Sequence, residues 1–169
     1  SLTVAGSAVL GDGAADRVGN VSVLSISGQT TINADQVTTT GTQTYAGAVI
    51  VGNDTTLTTT NSNVVFGSTV DSEAAEANDL TVAAGTGNVT LGGELGNVAA
   101  LGNLSLSAGG IELNGGVVKT VDGQSYTGSV VLGADTTLTG QDVTVVNTVV
   151  SDGTNRSLTI NASGATTLN

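Results

Sequence analysis

A twelve-residue segment occurs twice in this chain, and the internal repeat restricts the possible folds more than any other feature. Residues 47–58 read GAVIVGNDTTLT and residues 128–139 read GSVVLGADTTLT, with eight of the twelve positions identical. Self-similarity at a fixed distance is the sequence signature of a repeat architecture, in which each unit packs on its neighbours. We therefore interpret the chain as a segment of a repeat protein.

The repeated units are longer than that segment. Tyr45 and Tyr126 are the only two tyrosines, and each shortly precedes one copy. The apolar triplet that begins at Leu2 also recurs at Leu80 and again, at the same interval, at Leu158. The sequence therefore predicts one repeat segment over the whole chain, with a first unit at residues 1–78, a second at 79–157 and the start of a third at 158–169.

A finer period lies within each unit. In the second unit, successive short apolar segments begin at Leu80, Leu104, Val130 and Leu158, and the three steps between them together make up one 78-residue unit. The three steps are nearly equal in length. We therefore predict about 26 residues per coil, three coils per 78-residue unit and about 6.5 coils in all.

The composition limits the core that this chain can build. With 25 Gly, one Phe, two Tyr and no Trp, Met, Cys or Pro, the core must be thin and mainly aliphatic. Thr, Ser, Val and Asn favour strands and turns over helices. Because the chain has neither Cys nor His, it lacks disulfides, thiolate chemistry and the usual zinc and copper ligands.

The chain is also strongly acidic. Three basic residues stand against fourteen acidic ones, which gives a net charge of -11. Such a charge repels nucleic acid and anionic membrane surfaces. No run approaches the roughly 18 apolar residues that a membrane helix needs. We therefore expect neither nucleic-acid binding nor membrane insertion.

The commonest local pattern is an apolar residue, then Ser or Thr, then a second apolar residue. This period of two is typical of a strand with one buried and one solvent-facing side. Gly, Asn or Asp closes each segment, as turns require. The pattern therefore predicts many short strands that face outward with hydroxyl groups. The triplets are Leu2-Thr3-Val4, Leu24-Ser25-Ile26, Leu80-Thr81-Val82, Val89-Thr90-Leu91, Leu104-Ser105-Leu106, Val143-Thr144-Val145 and Leu158-Thr159-Ile160.

Such strands fit two all-β architectures, a sandwich and a solenoid. A sandwich has no reason to repeat its sequence. A parallel β-solenoid does, because residues one coil apart lie directly above one another and form ladders of like side chains. We therefore predict an all-β, parallel β-solenoid.

The strand pattern, the Gly and Asn turns, the recurring G-x-D-T-T-L-T and the absence of Cys resemble the β-helical repeat regions of large bacterial surface adhesins, the filamentous-haemagglutinin-like and autotransporter passenger proteins. The resemblance implies a right-handed β-helix that is exported and then displayed at the bacterial cell surface or released as a long thin rod. It implies no functional residues, because the stalk repeats of such proteins share no catalytic motif. The 78-residue unit is longer than the repeats usual in the best-known members.

One acidic insert is a candidate cation site. Hard cations such as calcium favour carboxylate and carbonyl oxygens, and calcium is the one cofactor that this insert suggests. The simpler interpretation is a solvated acidic loop that carries one helical turn capped by Ser72. The candidate ligands are Asp71, Glu73, Glu76 and Asp79.

Asp54 and Asp135 occupy the same place in the two copies and are a second set of possible oxygen ligands. An Asp before Thr-Thr is a typical turn residue, whose carboxylate bonds amides of its own turn. The chain also lacks the glycine-rich nonapeptide of calcium-binding β-rolls. We therefore interpret both residues as turn formers.

The sequence does not indicate an enzyme. β-Helical enzymes that cut acidic polysaccharides group their carboxylates with basic residues and aromatic platforms. Glu112 and Asp142, by contrast, have no sequence neighbour of opposite charge. Nucleophile triads are excluded by the absence of His and Cys. We therefore assign no catalytic residue.

Ice binding is a further alternative, since ice-binding solenoids also display threonine arrays. Thr-rich rows occur at residues 38–40 and 55–58. Such an array must be regular over many coils, whereas Gly, Asp and Gln interrupt the Thr positions from coil to coil. Outward Thr is then more simply a strand former that keeps the surface soluble.

The function expected from the sequence is structural: a rod segment of a giant extracellular bacterial surface or matrix protein. Its expected partners are neighbouring repeats of the same chain and host or matrix carbohydrate or protein. The alternative is a fibre subunit that stacks end to end on other copies, because a solenoid without capping repeats exposes strand edges and apolar core residues. The acidic surface further suggests that divalent cations promote lateral association of rods.

Overall fold

A computed structural model describes residues 1–13 and 15–169, and its regular structure consists of 21 short β-strands. None of the described residues forms an α-helix. The seven predicted triplets all lie within strands, which confirms the all-β prediction. The strands are β1 (Leu2–Val4), β2 (Ala8–Leu10), β3 (Arg17–Val21), β4 (Leu24–Ile26), β5 (Thr30–Ile32), β6 (Gln36–Thr39), β7 (Gln43–Tyr45), β8 (Val49–Val51), β9 (Thr55–Thr59), β10 (Val64–Phe66), β11 (Val70–Ser72), β12 (Leu80–Ala83), β13 (Asn88–Leu91), β14 (Leu104–Leu113), β15 (Val117–Lys119), β16 (Gln124–Leu132), β17 (Thr136–Gly140), β18 (Val143–Val146), β19 (Val149–Ser151), β20 (Leu158–Ala162) and β21 (Thr166–Leu168).

The strands stack in parallel on three faces, which we name A, B and C in the order in which each turn visits them. Face A holds β1, β4, β7, β10, β13, the second half of β14, the second half of β16, and β19. Face B holds β2, β5, β8, β11, the single bridging residue Leu95, β15, β17 and β20. Face C holds β3, β6, β9, β12, the first half of β14, the first half of β16, β18 and β21. The chain is therefore a parallel β-solenoid, as predicted.

Each turn contains about 21 residues, and the chain makes about eight turns. Our prediction was a longer coil of about 26 and a total of about 6.5 coils. The discrepancy arises because the apolar segments used for the period do not all lie on one face. Leu104 pairs with Gln124 on face C, whereas Val130 lies on face A, one strand further along the turn. The step from Leu104 to Val130 therefore measures one turn and a third.

The same displacement applies to the longer repeat that relates the two tyrosines. Tyr45 lies on face A, and Tyr126 lies on face C. The two tyrosines are eleven strand positions apart, which equals three turns and two thirds of a fourth. Equivalent residues of the two units thus belong to different faces, and three coils do not make one repeat.

The core runs along the solenoid axis and is mainly aliphatic, as the composition requires. Alternate residues of each strand point inward, and in the central turns these positions are almost fully buried. All three aromatic residues of the chain lie in this core, where the rings of Tyr45 and Phe66 stack with their centroids 5.4 Å apart. Inward columns of like side chains therefore exclude water from the axis. On face A one such column is Val4, Ile26, Tyr45, Phe66, Leu91, Leu113 and Leu132.

Two strands are long because they continue around a corner. β14 and β16 each cover faces C and A without a break, and their pairing shifts register between Ser107 and Gly110. Gly128 has a φ of 145° at this corner, and a side chain there would meet the carbonyl oxygen of Ala108. A glycine on the upper strand thus allows the two backbones to approach closely at the bend.

Gln43 and Tyr45 form a buried polar pair at another type of corner. The repeated Gln-x-Tyr motif encodes this pair. The Tyr45 hydroxyl donates to Gln43 Oε1 over 3.0 Å, and Gln43 Nε2 donates to the carbonyl oxygens of Val37 and Thr58 at 3.0 Å each. Both carbonyls belong to face C. That of Val37 lies in β6, just before the glutamine in the chain, and that of Thr58 lies in β9, one turn later. The glutamine side chain thus adds hydrogen bonds from the core to two backbone carbonyls on successive turns of face C.

Candidate functional site

The acidic insert protrudes between faces B and C of the fourth turn. Asp71 is buried on β11, and its Oδ1 accepts hydrogen bonds from the backbone amides of Val98 and Ala99 at 2.9 and 3.3 Å. Those residues belong to the loop of the next turn. The Asp71 carboxylate therefore holds two successive loops together.

The rest of the insert is a turn and not a helix. Ala75 has a φ of 69°, which is incompatible with a right-handed helix, and the Glu76 amide bonds the carbonyl of Glu73 over 3.1 Å. Ser72 Oγ accepts from the Asn78 amide at 2.9 Å. The expected helical turn capped by Ser72 is thus wrong, because this hydroxyl closes a wider loop.

The four candidate ligands do not converge on one point. Within the described ranges, no three acidic side chains are grouped so that they could hold a metal ion. Glu76 Oε2 accepts from Asn78 Nδ2 at 2.9 Å, and Asp79 Oδ1 accepts from the Asn103 amide at 2.6 Å. The carboxylates of Asp71 and Asp79 therefore bond backbone amides of the next turn.

Asp54 and Asp135 also serve the stacking of turns. Asp54 Oδ1 accepts from the backbone amide of Asp79 at 2.8 Å, and Asp135 Oδ1 accepts from that of Ser157 at 2.9 Å. Both are turn residues, but each carboxylate reaches one turn onward and does not bond its own turn as predicted. The hydrogen bond from Ser157, supported by the nearby positive charge of Arg156, holds the pKa of Asp135 below its ordinary value.

The bond of Asp54 begins a polar ladder at the corner between faces B and C, whereas the bond of Asp135 lies at the corner between faces A and B. The ladder continues from Asp79 to Asn103, whose Oδ1 accepts from the Gly123 amide at 3.0 Å. Gly123 has no side chain, so the ladder stops there and resumes at Asp142, whose Oδ1 accepts from the Ala165 amide at 2.6 Å. A shallow cavity of about 260 Å³ lies around this gap. Its lining is Asn103, Leu104, Ser105, Gly123, Gln124, Ser125, Asp142 and Thr144.

The residues considered for catalysis do not form an acid–base pair. Glu112 points outward on face A, where its Oε2 accepts from the Thr90 hydroxyl at 3.2 Å. Asp142 lies in the corner ladder just described. Arg156 pairs with Asp152 over 2.9 Å, and the side-chain hydrogen bond from Arg156 lowers the pKa of that carboxyl. The ion pair thus joins two exposed residues of the same loop.

The most regular surface feature is a pair of outward columns on face C, the first made entirely and the second mainly of hydroxyl residues, which we call the hydroxyl face. The strand register places the outward residues of six successive turns above one another without a shift. The first column is Thr56, Thr81, Ser105, Ser125, Thr144 and Thr167, and the second is Thr58, Ala83, Ser107, Thr127 and Val146. Sequence reasoning missed this feature because the predicted longer coil places other residues above one another.

The hydroxyls of the two columns are available for contacts outside the protein. Within the described part of the chain, none of them donates to or accepts from a protein group, whereas Thr39, Thr55 and Thr59 nearby each bond a backbone carbonyl. These three threonines point inward, and the column residues point to solvent. The strand alternation thus separates structural hydroxyls from displayed ones.

Faces A and B lack such regularity. The outward column of face A is Thr3, Ser25, Thr44, Val65, Thr90, Glu112, Val131 and Val150. On face B, Val9, Thr31, Ile50 and Asp71 follow one another. Apolar or charged residues interrupt both series, whereas the first column of face C repeats a hydroxyl group over six turns.

Comparison with known proteins adds no relative to this description. No protein-family model matches the chain, and no match was found among the curated proteins or the solved structures. No helix in the described ranges is long and apolar enough to cross a membrane. The class that the fold itself defines is therefore a parallel β-solenoid with a repetitive β-helical sequence.

Proposed function

We propose that this chain is a structural rod segment of an extracellular bacterial surface or matrix protein. The observation that carries the proposal is the parallel ladder, which continues through about eight turns around one uninterrupted core. At the usual strand spacing, eight turns extend on the order of 40 Å. A rod of this kind holds other domains at a distance without an active site.

The finer assignment is a right-handed β-helix of the adhesin type. It is supported by the resemblance of the strand and turn pattern to filamentous-haemagglutinin-like and autotransporter passenger repeats, together with the β-solenoid architecture. Binding of host or matrix carbohydrate or protein then belongs to other parts of the parent protein or to the rod surface.

The mechanical role follows from how the turns are held together. Each inward Leu, Val or Ile that is fully buried contributes about 1.5 to 3 kcal/mol, and each turn adds several such residues. Carboxylates of Asp54, Asp71 and Asp79 bond amides of the following turn. Stability should therefore grow with the number of turns, as in other solenoids.

Surface labelling of intact cells tests this proposal. An antibody raised against residues 1–169 should label intact cells that produce the parent protein, or the material that they release. Labelling that appears only after lysis would show that the segment is intracellular and would overturn the assignment. Antibody from which the specific fraction has been removed by the purified chain is the control.

A second candidate function is a self-assembling fibre subunit, because the parallel ladder that joins successive turns within this chain can equally join the edge of one copy to another. Unpaired parallel edges above an apolar core are a template for another copy. Electron microscopy of the purified chain at low and moderate salt separates the alternatives: long filaments support the subunit, and isolated short rods support the spacer.

Cation-dependent association of rods is a related proposal. The net charge of -11 keeps rods apart until counter-ions screen it. Added calcium should therefore raise light scattering in a low-salt buffer, and more so than sodium at the same concentration, because the divalent ion neutralises more charge. Unchanged scattering would contradict the idea and would also leave calcium without a role here.

A further inference from the structure

The hydroxyl face presents a two-dimensional lattice. In the first column a hydroxyl recurs every turn, about 4.8 Å apart, and the second column, which carries hydroxyls at Thr58, Ser107 and Thr127, is separated from it by two residues along each strand, or about 6.7 Å. Since each Ser or Thr hydroxyl has one donor and two acceptor positions, the first column offers the same bonding pattern at each of six turns. Because the strand pairing fixes these distances, the lattice exists before any ligand binds.

We propose that the hydroxyl face binds ice. An ice surface is a periodic array of water molecules that donate and accept hydrogen bonds, and a periodic array of unpaired hydroxyls can join it at many points at once. Thr side chains are restricted at χ1, so ordering them costs little entropy. Many weak contacts on a rigid body then add up to a stable attachment.

The charge distribution favours ice over an ion or a phosphorylated ligand. Neither column contains an ionisable residue between Thr56 and Thr167. The carboxylates beside the first column, those of Asp54, Asp79 and Asp142, direct one oxygen each to a backbone amide of the next turn. The face itself is therefore neutral and polar, which suits neutral water.

The position of the aromatic residues favours ice over a crystalline polysaccharide. Sugar-binding surfaces generally offer aromatic platforms to the rings, and Tyr45, Phe66 and Tyr126 are all fully buried. The two columns offer hydroxyl and methyl groups only, with Ala83 and Val146 at the positions that lack a hydroxyl.

Partitioning into slowly growing ice tests the proposal directly. The purified chain should be enriched in the ice fraction by roughly tenfold or more over an acidic control protein of similar size, because many lattice points engage together. It should also slow recrystallisation of fine-grained ice. If the chain stays in the liquid like the control protein, the proposal is wrong.

Matched variants assign the effect to one face. Thr81→Tyr and Ser125→Tyr place a bulky ring on the hydroxyl face, and each should lower the ice-bound fraction roughly tenfold, because a central obstacle lifts neighbouring turns from the lattice. Thr44→Tyr is the control, since Thr44 is an outward strand residue of face A with similar partial exposure. Circular dichroism and urea unfolding verify that all three variants are folded. Equal loss in the control, or no loss in the face C variants, would overturn the assignment.

Gly123→Asn tests the corner side of the cavity, whose other side is formed by Ser105, Ser125 and Thr144 of the first column. A Cβ atom at Gly123 would lie 3.4 Å from Asn103 Oδ1, an ordinary contact, so an asparagine can be placed at the gap in the corner ladder. Ice binding by the columns should be retained or increased. A loss as large as in the tyrosine variants would show that the cavity is the binding element, and retention on insoluble neutral polysaccharide without enrichment in ice would identify a sugar surface. Either result contradicts the proposal.

Discussion

The two copies of the repeated segment have nearly the same sequence but occupy different faces of the solenoid. Together with the Gln-x-Tyr that precedes it, the first copy begins with β7 on face A and reaches face C with β9. The second begins with β16 on face C, continues on face A and ends with β17 on face B. The repeat therefore encodes a succession of strand and corner, and it can start on any side of the triangular turn.

The local structure of the two copies supports this conclusion. The Tyr126 hydroxyl donates to Gln124 Oε1 at 2.8 Å, and Gln124 Nε2 donates to the Thr139 carbonyl at 2.8 Å, as Gln43 does to that of Thr58. What differs is the residue stacked on each position, because the turns above and below have other sequences. Comparison of the copies thus separates the contribution of the corner to stability from the contribution of the residues stacked above and below it.

Loss of the tyrosine should have the largest effect in both copies. Tyr45→Ala and Tyr126→Ala should each lower the free energy of unfolding by about 3–5 kcal/mol, since a large buried ring leaves a cavity. Tyr45→Ala should cost about 0.5–1.5 kcal/mol more, because Tyr45 stacks on Phe66 whereas Tyr126 lies between Leu106 and Val145. Urea unfolding measures both values. A larger loss at Tyr126 would show that the corner, and not the stack, dominates.

Loss of the glutamine should have the next largest effect on stability. Gln43→Leu and Gln124→Leu should each lower the free energy of unfolding by about 2–4 kcal/mol, because the hydrogen bonds to two backbone carbonyls are lost and the buried tyrosine hydroxyl is left without its partner. Burial raises the pKa of both tyrosines, so the hydroxyls stay protonated and remain donors.

A double-mutant cycle tests whether each pair acts as a unit. In Gln43→Leu with Tyr45→Phe, the two losses should be less than additive, because the hydroxyl without a partner is also removed. The same cycle at Gln124 and Tyr126 should give a similar coupling energy. Strictly additive losses in either copy would contradict a shared corner motif.

The strands, their parallel stacking and the direction of their side chains could be predicted from sequence because alternation and repetition are local signals. The turn length could not. Leu2, Leu80 and Leu158 recur at a constant spacing and yet lie on faces A, C and B. Identical corners generate that spacing, and a periodicity search cannot distinguish a corner from a full turn.

The candidate sites were likewise predictable only where they depend on local sequence and not on strand register. Asp54 and Asp135 were found because they repeat, but their partners on the next turn depend on the register, which the sequence left open. The hydroxyl face depends on register entirely. The step along the chain from Thr81 to Ser105 is longer than the step from Ser105 to Ser125, although each is one full turn, so no single period would reveal the column.

The two copies also differ in the polarity of the residue beneath one inward valine, which is a buried threonine in the first copy. Beneath Val49 of the first copy lies Thr30, and beneath Val130 of the second lies Ile111. Thr30 Oγ1 is buried without a hydrogen-bond partner among the described residues. Thr30→Val should therefore raise the free energy of unfolding by about 1 kcal/mol, because it removes an unsatisfied polar atom at nearly constant volume. Thr31→Val, at the outward neighbour, is the control, and equal changes in both variants would contradict the explanation.

The smallest predicted effect is a difference in acid sensitivity at Asp135. Its pKa in the folded chain is lowered from 3.8, mainly by the hydrogen bond from Ser157. A carboxyl with a lowered folded pKa stabilises the fold above the unfolded value and loses that contribution as the pH falls through the folded one. Asp135→Asn cannot titrate, so its urea midpoint should change less than that of the unmodified chain when the pH is lowered below about 3.8.

Asparagine keeps the oxygen that accepts from Ser157, and the effect at neutral pH should therefore be minor. Arg156→Gln removes the nearby positive charge and should shift the acid transition slightly upward. An identical acid transition in Asp135→Asn and the unmodified chain would mean that this carboxylate contributes nothing to the corner that it occupies.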